Sequence, residues 1–420
     1  MPKSLRLFSL ACKLKTAFLA TILVLLLTSN GKAQGHSVLI NNFDISAYTW
    51  DGDGNLYVAG KDNKNSLFLA KYDKDLDTLI NPIFILNDSY NAVKLLITRN
   101  DYLMILGLKQ VGEKSDLWLH KYDKSLNCLR EFESGLLKIN QNLIPITMLE
   151  DGNDDIIVLC KAKGLKQDPN NYFVGLIKFC CDNTKPMATV FNTSSDQPSS
   201  SGKSEDNFLM INYDNSYTYV YKYESNGKYY RAKKISMSFE AISVSDPIGL
   251  YHGVDQSEFL TVLRTGYQVL AVYNDDGNLG KVKSVGKDDT PKVIENDRKI
   301  IAATSDDLGN LYTVNKYSNN VPCQLEKNYV NNQDASQKVW EQNIENGFFP
   351  TKLAIFSSSG FIAAADPEGK IKLFNAEGVL SNANIEWYSS FRLLHLFGNQ
   401  YGIYAIGNND SQTFIKQITQ

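Results

Sequence analysis

Any chemistry in this chain has to come from a short set of side chains. Four histidines stand at 36, 120, 252 and 395, and no two are close enough in sequence to suggest a metal pair. His252 and His395 fall where the first strands of two repeat units are expected, so they are the best-placed acid, base or binding groups. A satisfied core histidine is the competing reading for each. His120 sits beside Lys121 in another strand, where a solvated or inter-unit role is expected. Tyr217, Tyr219, Tyr221 and Tyr223 alternate along one strand and therefore face one side. Such a row can stack on sugar rings or pack between sheets. Asp51, Asp53 and Asn55 alternate as oxygen ligands do in calcium loops. The distant bidentate Glu is missing and a strand follows in place of a helix, so the stretch reads as a turn.

Recognisable catalytic motifs are missing from the sequence. There is no H-E-x-x-H, no G-x-S-x-G and no complete phosphate loop. Gly202-Lys203-Ser204 is only the tail of the last, since position 197 is Gln. Cys12, Cys128, Cys160, Cys180, Cys181 and Cys323 contain no C-x-x-C pair, and most read as small buried apolar residues. No metal and no cofactor are expected. A carboxylate pair for glycoside hydrolysis could lie among the 46 acidic residues, because that separation is spatial.

The elements that must position these groups form a repeat. Ser66–Leu76 reads SLFLAKYDKDL and Asp116–Leu126 reads DLWLHKYDKSL, 50 residues on. Periods of this length mark solenoids, propellers or arrays. Around the first copy lie four short apolar runs: Ile45–Trp50, Leu56–Gly60, Leu67–Tyr72 and Leu79–Leu86. Gly, Asn and Asp turns join them, which predicts a four-stranded antiparallel meander. The same grammar recurs to the end of the chain. An aromatic residue is expected to close the third strand of most units: Tyr72, Tyr122, Phe179, Tyr223, Tyr273 and Phe374. The last unit is short by one strand, and Ser37–Phe43 supplies an orphan strand to complete it. The expected fold is therefore all-β, a propeller of four-stranded antiparallel blades. Eight blades are favoured over seven, with the N-terminal strand closing the last blade.

The N-terminus reads as an address. Lys3, Arg6, Lys13 and Lys15 precede the apolar run Ala17–Leu27, and small residues follow at Gly31 and Ala33. Residues 1–33 are read as a secretory signal and 34–420 as a single propeller domain. Only 16 residues separate Lys15 from Lys32, short for a membrane span of roughly 20. The formal charge of −3 gives no basic footprint for nucleic acid.

Asp51-Gly-Asp-Gly-Asn-Leu-Tyr-Val-Ala-Gly60, followed by Leu67–Asp73, resembles the bacterial secreted β-propeller repeat proteins. The match is closest in units one and two, and it implies architecture rather than activity. Locally, Asp334-Ala-Ser-Gln-Lys-Val-Trp-Glu341 is similar to the repeat of quinoprotein-type eight-bladed propellers, without that repeat's Thr-Gly pair. Ser305–Tyr312 resembles the Asp box of sialidase propellers, with Tyr for Trp, and reads here as a hairpin turn.

Taken together, these features lead to an exported, non-enzymatic binding or scaffolding propeller that presents loops to a protein or glycan partner. The rival is an enzyme working in a central channel: a glycoside hydrolase, a lyase or a quinoprotein-like oxidoreductase. Candidate binding residues are His252, His395, Tyr217, Tyr219 and Tyr221.

Overall fold

The computed structural model describes residues 36–419 except 42, 87–89, 112–113, 134–142, 151–154, 164–171, 180–186, 192–206, 213–216, 224–228, 237–257, 266–267, 276–278, 286–291, 296–297, 317–321, 331–336, 346, 382–384, 386, 388–389 and 410–411. Every regular element among the described residues is a strand, and the strands pair antiparallel in eight sheets.

An N-terminal strand, β1 (Ser37–Asn41), stands apart from its sequence neighbours. The first sheet is β2 (Phe43–Trp50), β3 (Leu56–Asp62), β4 (Leu67–Tyr72) and β5 (Thr78–Leu86). The second is β6 (Tyr90–Ile97), β7 (Leu103–Val111), β8 (Lys114–Tyr122) and β9 (Cys128–Glu133). The third is β10 (Leu143–Glu150), β11 (Ile156–Lys163), β12 (Tyr172–Phe179) and β13 (Met187–Phe191). Three strands form the fourth: β14 (Asn207–Asn212), β15 (Tyr217–Tyr223) and β16 (Tyr229–Ser236).

The fifth sheet is β17 (Glu258–Thr265), β18 (Gln268–Asp275), β19 (Leu279–Val285) and β20 (Lys292–Glu295). The sixth is β21 (Lys299–Ser305), β22 (Asn310–Lys316), β23 (Gln324–Tyr329) and β24 (Gln337–Asn343). The seventh holds β25 (Lys352–Phe356), β26 (Phe361–Ala365) and β27 (Ile371–Phe374), with an isolated bridge from Ile371 to Ile385 where a fourth strand is expected. The last contains β28 (Arg392–Gly398), β29 (Ile403–Asn408) and β30 (Gln412–Thr419), and β1 pairs along β30 from Ser37–Lys416 to Asn41–Gln412.

Neighbouring sheets meet most consistently through their first strands: β2 beside β6, β6 beside β10, β17 beside β21, β21 beside β25 and β25 beside β28. Among the described residues, each apolar cluster is shared by two sheets. In β3, Tyr57 and Ala59 join a core with Leu103, Ile105 and Trp118 of the second sheet. Leu56 and Val58, on the opposite face, join Tyr404, Ile406 and Ile415 of the last sheet. A strand buried on both faces reads as a continuous apolar run, which is why Leu56–Gly60 shows no polar alternation.

The eleven-residue repeat now has a physical meaning. Tyr72 and Tyr122 are buried at the ends of β4 and β8. The lysines before them lie over aromatic rings, Lys71 at 4.9 Å from Tyr57 and Lys121 at 3.7 Å from Tyr102. Asp73 and Asp123 each accept two backbone N–H groups across the next turn. Leu76 and Leu126 then plug the inter-sheet cores at φ 65° and 64°. The left-handed backbone costs each leucine something that its burial offsets.

A second repeated device is a bulge in the first strand. The register shifts at Ile45/Ala47, Ala92/Lys94, Pro145/Thr147, Ile300/Ala302 and Leu393/His395. The residue before the shift pairs with the fifth residue of the second strand at Gly60, Gly107, Cys160 and Gly407, and with the sixth at Asn315. Glycine serves there because the bulged backbone comes close. A Cβ on Gly60 would lie 1.8 Å from the Asp44 carbonyl oxygen.

Two expectations need correction. In the fourth and fifth sheets the strand count is displaced by one. β14 and β17 take the first-strand place, since β14 lies beside β10 and β17 beside β21. Tyr223 and Tyr273 therefore end second strands, not third strands. Phe43, expected in the orphan strand, begins β2. The expected strands at 249–253 and in the Ser-rich stretch 194–204 lie outside the described residues.

Candidate functional site

The last and first sheets meet in a seam lined by aromatic side chains. Tyr48 and Trp50 leave β2 two residues apart, and His395 and Phe397 leave β28 at the same spacing, so each pair shares a face. Phe397 stacks on Tyr48 at 4.6 Å and on Trp50 at 4.8 Å, with interplanar angles of 21° and 12°. The His395 ring meets Tyr48 edge-on at 5.1 Å. These rings are half-buried while His395 is exposed. Beneath them lie Ile45, Leu56, Val58 and Tyr404.

Cationic groups converge on the same place. Lys94 of β6 and Lys352 of β25 are near enough for their charges to act on His395. Burial first, then these two lysines, hold the imidazole pKa below its ordinary value. Burial also lowers that of Lys94 and pushes the Tyr48 hydroxyl up to about 12. His395 and Lys94 are reached by water, yet surrounding protein depresses their charged forms. The β2 and β28 bulges lie beside Ala47 and His395, and the extra residue there resets which face each following side chain occupies.

Elsewhere the sequence candidates separate. His252 lies outside the described residues. Tyr217, Tyr219 and Tyr221 stand on β15, the middle strand of its sheet, far along the chain from the His395 seam, and only their backbone is described. His120 is not solvated: its ring is buried, 4.8 Å from Trp118 of the same strand.

The Asp51–Asn55 loop is a turn whose carboxylate is already occupied. Asp51 Oδ1 accepts from the backbone of Asp53 and Asn55, and Oδ2 from the Asn55 amide and the Tyr57 hydroxyl. The stretch similar to an Asp box repeats this atom for atom: Asp306 accepts from Leu308, from Asn310 twice and from Tyr312. It joins the first two strands of its sheet, as a hairpin turn does. In the quinoprotein-like stretch, Trp340 donates to the Ala376 carbonyl at 3.0 Å and so ties the sixth sheet to the seventh, while Glu341 pairs with Lys338 of its own strand at 2.7 Å.

Sequence reasoning placed His395 in a first strand, and β28 is one. It missed Tyr48, Trp50, Lys94 and Lys352, whose convergence depends on which sheets become neighbours.

No family model matches the chain, and no curated protein does. Solved structures do. BamB from Moraxella catarrhalis aligns over 91% of this chain and 99% of its own, with a TM-score of 0.52 and 11% identity. The Dos1 propeller aligns over 92% and 95%, with a TM-score of 0.55 and 9% identity. Prolyl oligopeptidase B from Galerina marginata aligns over 90% of this chain but only 56% of its own, with a TM-score of 0.51 and 9% identity. Among the described residues, 30 strands in consecutive antiparallel sheets, with cores shared between neighbours, define a β-propeller, and these similarities agree on that fold.

Proposed function

We propose that this protein is an exported binding or scaffolding propeller, its sheets forming a ring of eight blades closed by β1 on β30. Its partner is a protein segment or glycan, held at the aromatic and cationic seam between the first and last blades. The observation that carries this reading is the stacked Tyr48, Trp50 and Phe397 set beside His395, Lys94 and Lys352. Aromatic faces offer area at small entropic cost, and lysines add charge complementarity toward acidic groups. A proton-transfer enzyme wants an acid and a base with separated pKa values. Burial, and then two positive charges, disfavour the protonated form of His395, which suits contact better than proton shuttling. The two propeller structures that this chain aligns with along nearly all of its length support the propeller architecture on which this reading rests.

The test is native mass spectrometry of the protein gently purified from its own host, alongside Trp50→Ala and Lys94→Glu. A copurifying protein or glycan mass that both variants lose is the expected result. A bound quinone, or glycoside or lyase turnover abolished by His395→Ala, would replace this reading with the channel enzyme.

A further inference from the structure

The outer hairpin of the second sheet holds a second cluster with different chemistry. His120 pairs across the strands with Glu131, and Tyr122 with Cys128, because the register shifts between Lys121 and Tyr122. That bulge brings an imidazole nitrogen, a thiol sulfur and a carboxylate oxygen within 4.8 Å of one another. Cys128 Sγ lies 3.8 Å from Glu131 Oε1 and 3.9 Å from the Arg130 carbonyl oxygen. The Tyr122 hydroxyl is 3.5 Å from His120 Nδ1. His120 is anchored in the wall, 2% exposed and edge-on to Trp118, while Cys128 and Glu131 open to solvent.

We propose that His120, Cys128 and Glu131 form a binding site for a borderline-soft divalent cation, zinc in the first instance. One imidazole nitrogen, one thiolate and one carboxylate are a zinc donor set, and three protein ligands leave a fourth position open. Bond lengths of about 2.0–2.3 Å put tetrahedral ligand atoms about 3.5 Å apart. The cluster therefore closes by about 1 Å through the two exposed side chains, with the buried ring fixed. Charge balances: the Cys128 thiol gives up its proton to solvent as sulfur binds the metal, and thiolate plus carboxylate neutralise a dication.

The experiment is a cobalt(II) titration of the reduced, metal-free full chain, with Cys128→Ser and Glu131→Gln in parallel. Both positions are exposed, and circular dichroism checks that each variant keeps its strands. The expected result is a near-ultraviolet thiolate-to-cobalt band that saturates at one equivalent, is displaced by zinc and is missing in Cys128→Ser. Glu131→Gln should weaken binding by at least the ~10-fold that even outer-sphere partners command. No thiolate band at saturating cobalt, or an undiminished band in Cys128→Ser, overturns the site.

Discussion

At the scale of single residues, the repeated aspartate turns do the most measurable work. Asp51 is buried and satisfies four donors at once. Burial pushes its carboxyl up, but hydrogen bonds from Asn55, Tyr57 and Asp53 together outweigh it and leave the pKa below its ordinary value. A depressed carboxyl stabilises the fold above the unfolded value of about 3.9 and loses that contribution as pH falls toward the folded value. Asp51→Asn should cost about 1–3 kcal/mol in urea denaturation at pH 7. The gap to the parent should narrow as the pH is lowered through 4, and a gap that is constant with pH would assign the loss to packing instead. His395 has the opposite charge type and the same pH direction. Its depressed pKa makes the fold less stable as pH falls through the unfolded value of about 6.5. The Asp turns were legible in the sequence, because D-x-x-G-N ties one acceptor to donors two and four residues on. Cys128 and Glu131 were not legible as partners of His120. A bulge brings them together, and nothing in C-L-R-E announces one.

At the scale of elements, the bulged first strand and its small-residue partner explain both the repeat and its irregularities. Gly60, Gly107 and Gly407 stand where an added Cβ would strike the carbonyls of Asp44, Asn91 and Arg392. Gly60→Ala should lower stability by about 1–3 kcal/mol. Gly52→Ala, in a turn with nothing within 4 Å of the new methyl, should leave the thermal midpoint nearly unchanged. Equal shifts in the two variants would show that the close approach is not limiting. The four-strand grammar was readable where turns are rich in Asp and Gly. It slipped by one strand in the fourth and fifth sheets, because Tyr223 and Tyr273 mimic the aromatic that closes a third strand. A tyrosine suits any strand end that is half-buried, so residue type alone could not fix the count. Pairing partners fixed it.

At the scale of the whole molecule, the two ends of the chain share one sheet. Asp44 accepts from Asn408, the Phe43 carbonyl from the Thr413 hydroxyl, and the Gly52 carbonyl from Gln400 and Tyr401. A chain that starts at Phe43 would lose the burial of Ile40 and leave β30 as an open edge. Destabilisation of about 2–3 kcal/mol from that side chain, with aggregation at the bared edge, is expected. Hydrogen exchange should show β30 amides losing protection while those of β6–β8 keep theirs. Unchanged exchange in β30 would mean that β1 adds nothing to the last sheet.

The pairing of β1 with β30 also sets a clock. Asn41 of β1 pairs with Gln412 of β30, 371 residues further on. At roughly 5–20 residues per second of synthesis, the first strand exists for about 20–75 s before its partner does. Throughout that interval Val38, Leu39 and Ile40 form a short apolar strand with nowhere to dock. The earliest segment of this fold to emerge is thus among the last to find its place, and the waiting strand is where a holding chaperone would have the most to do.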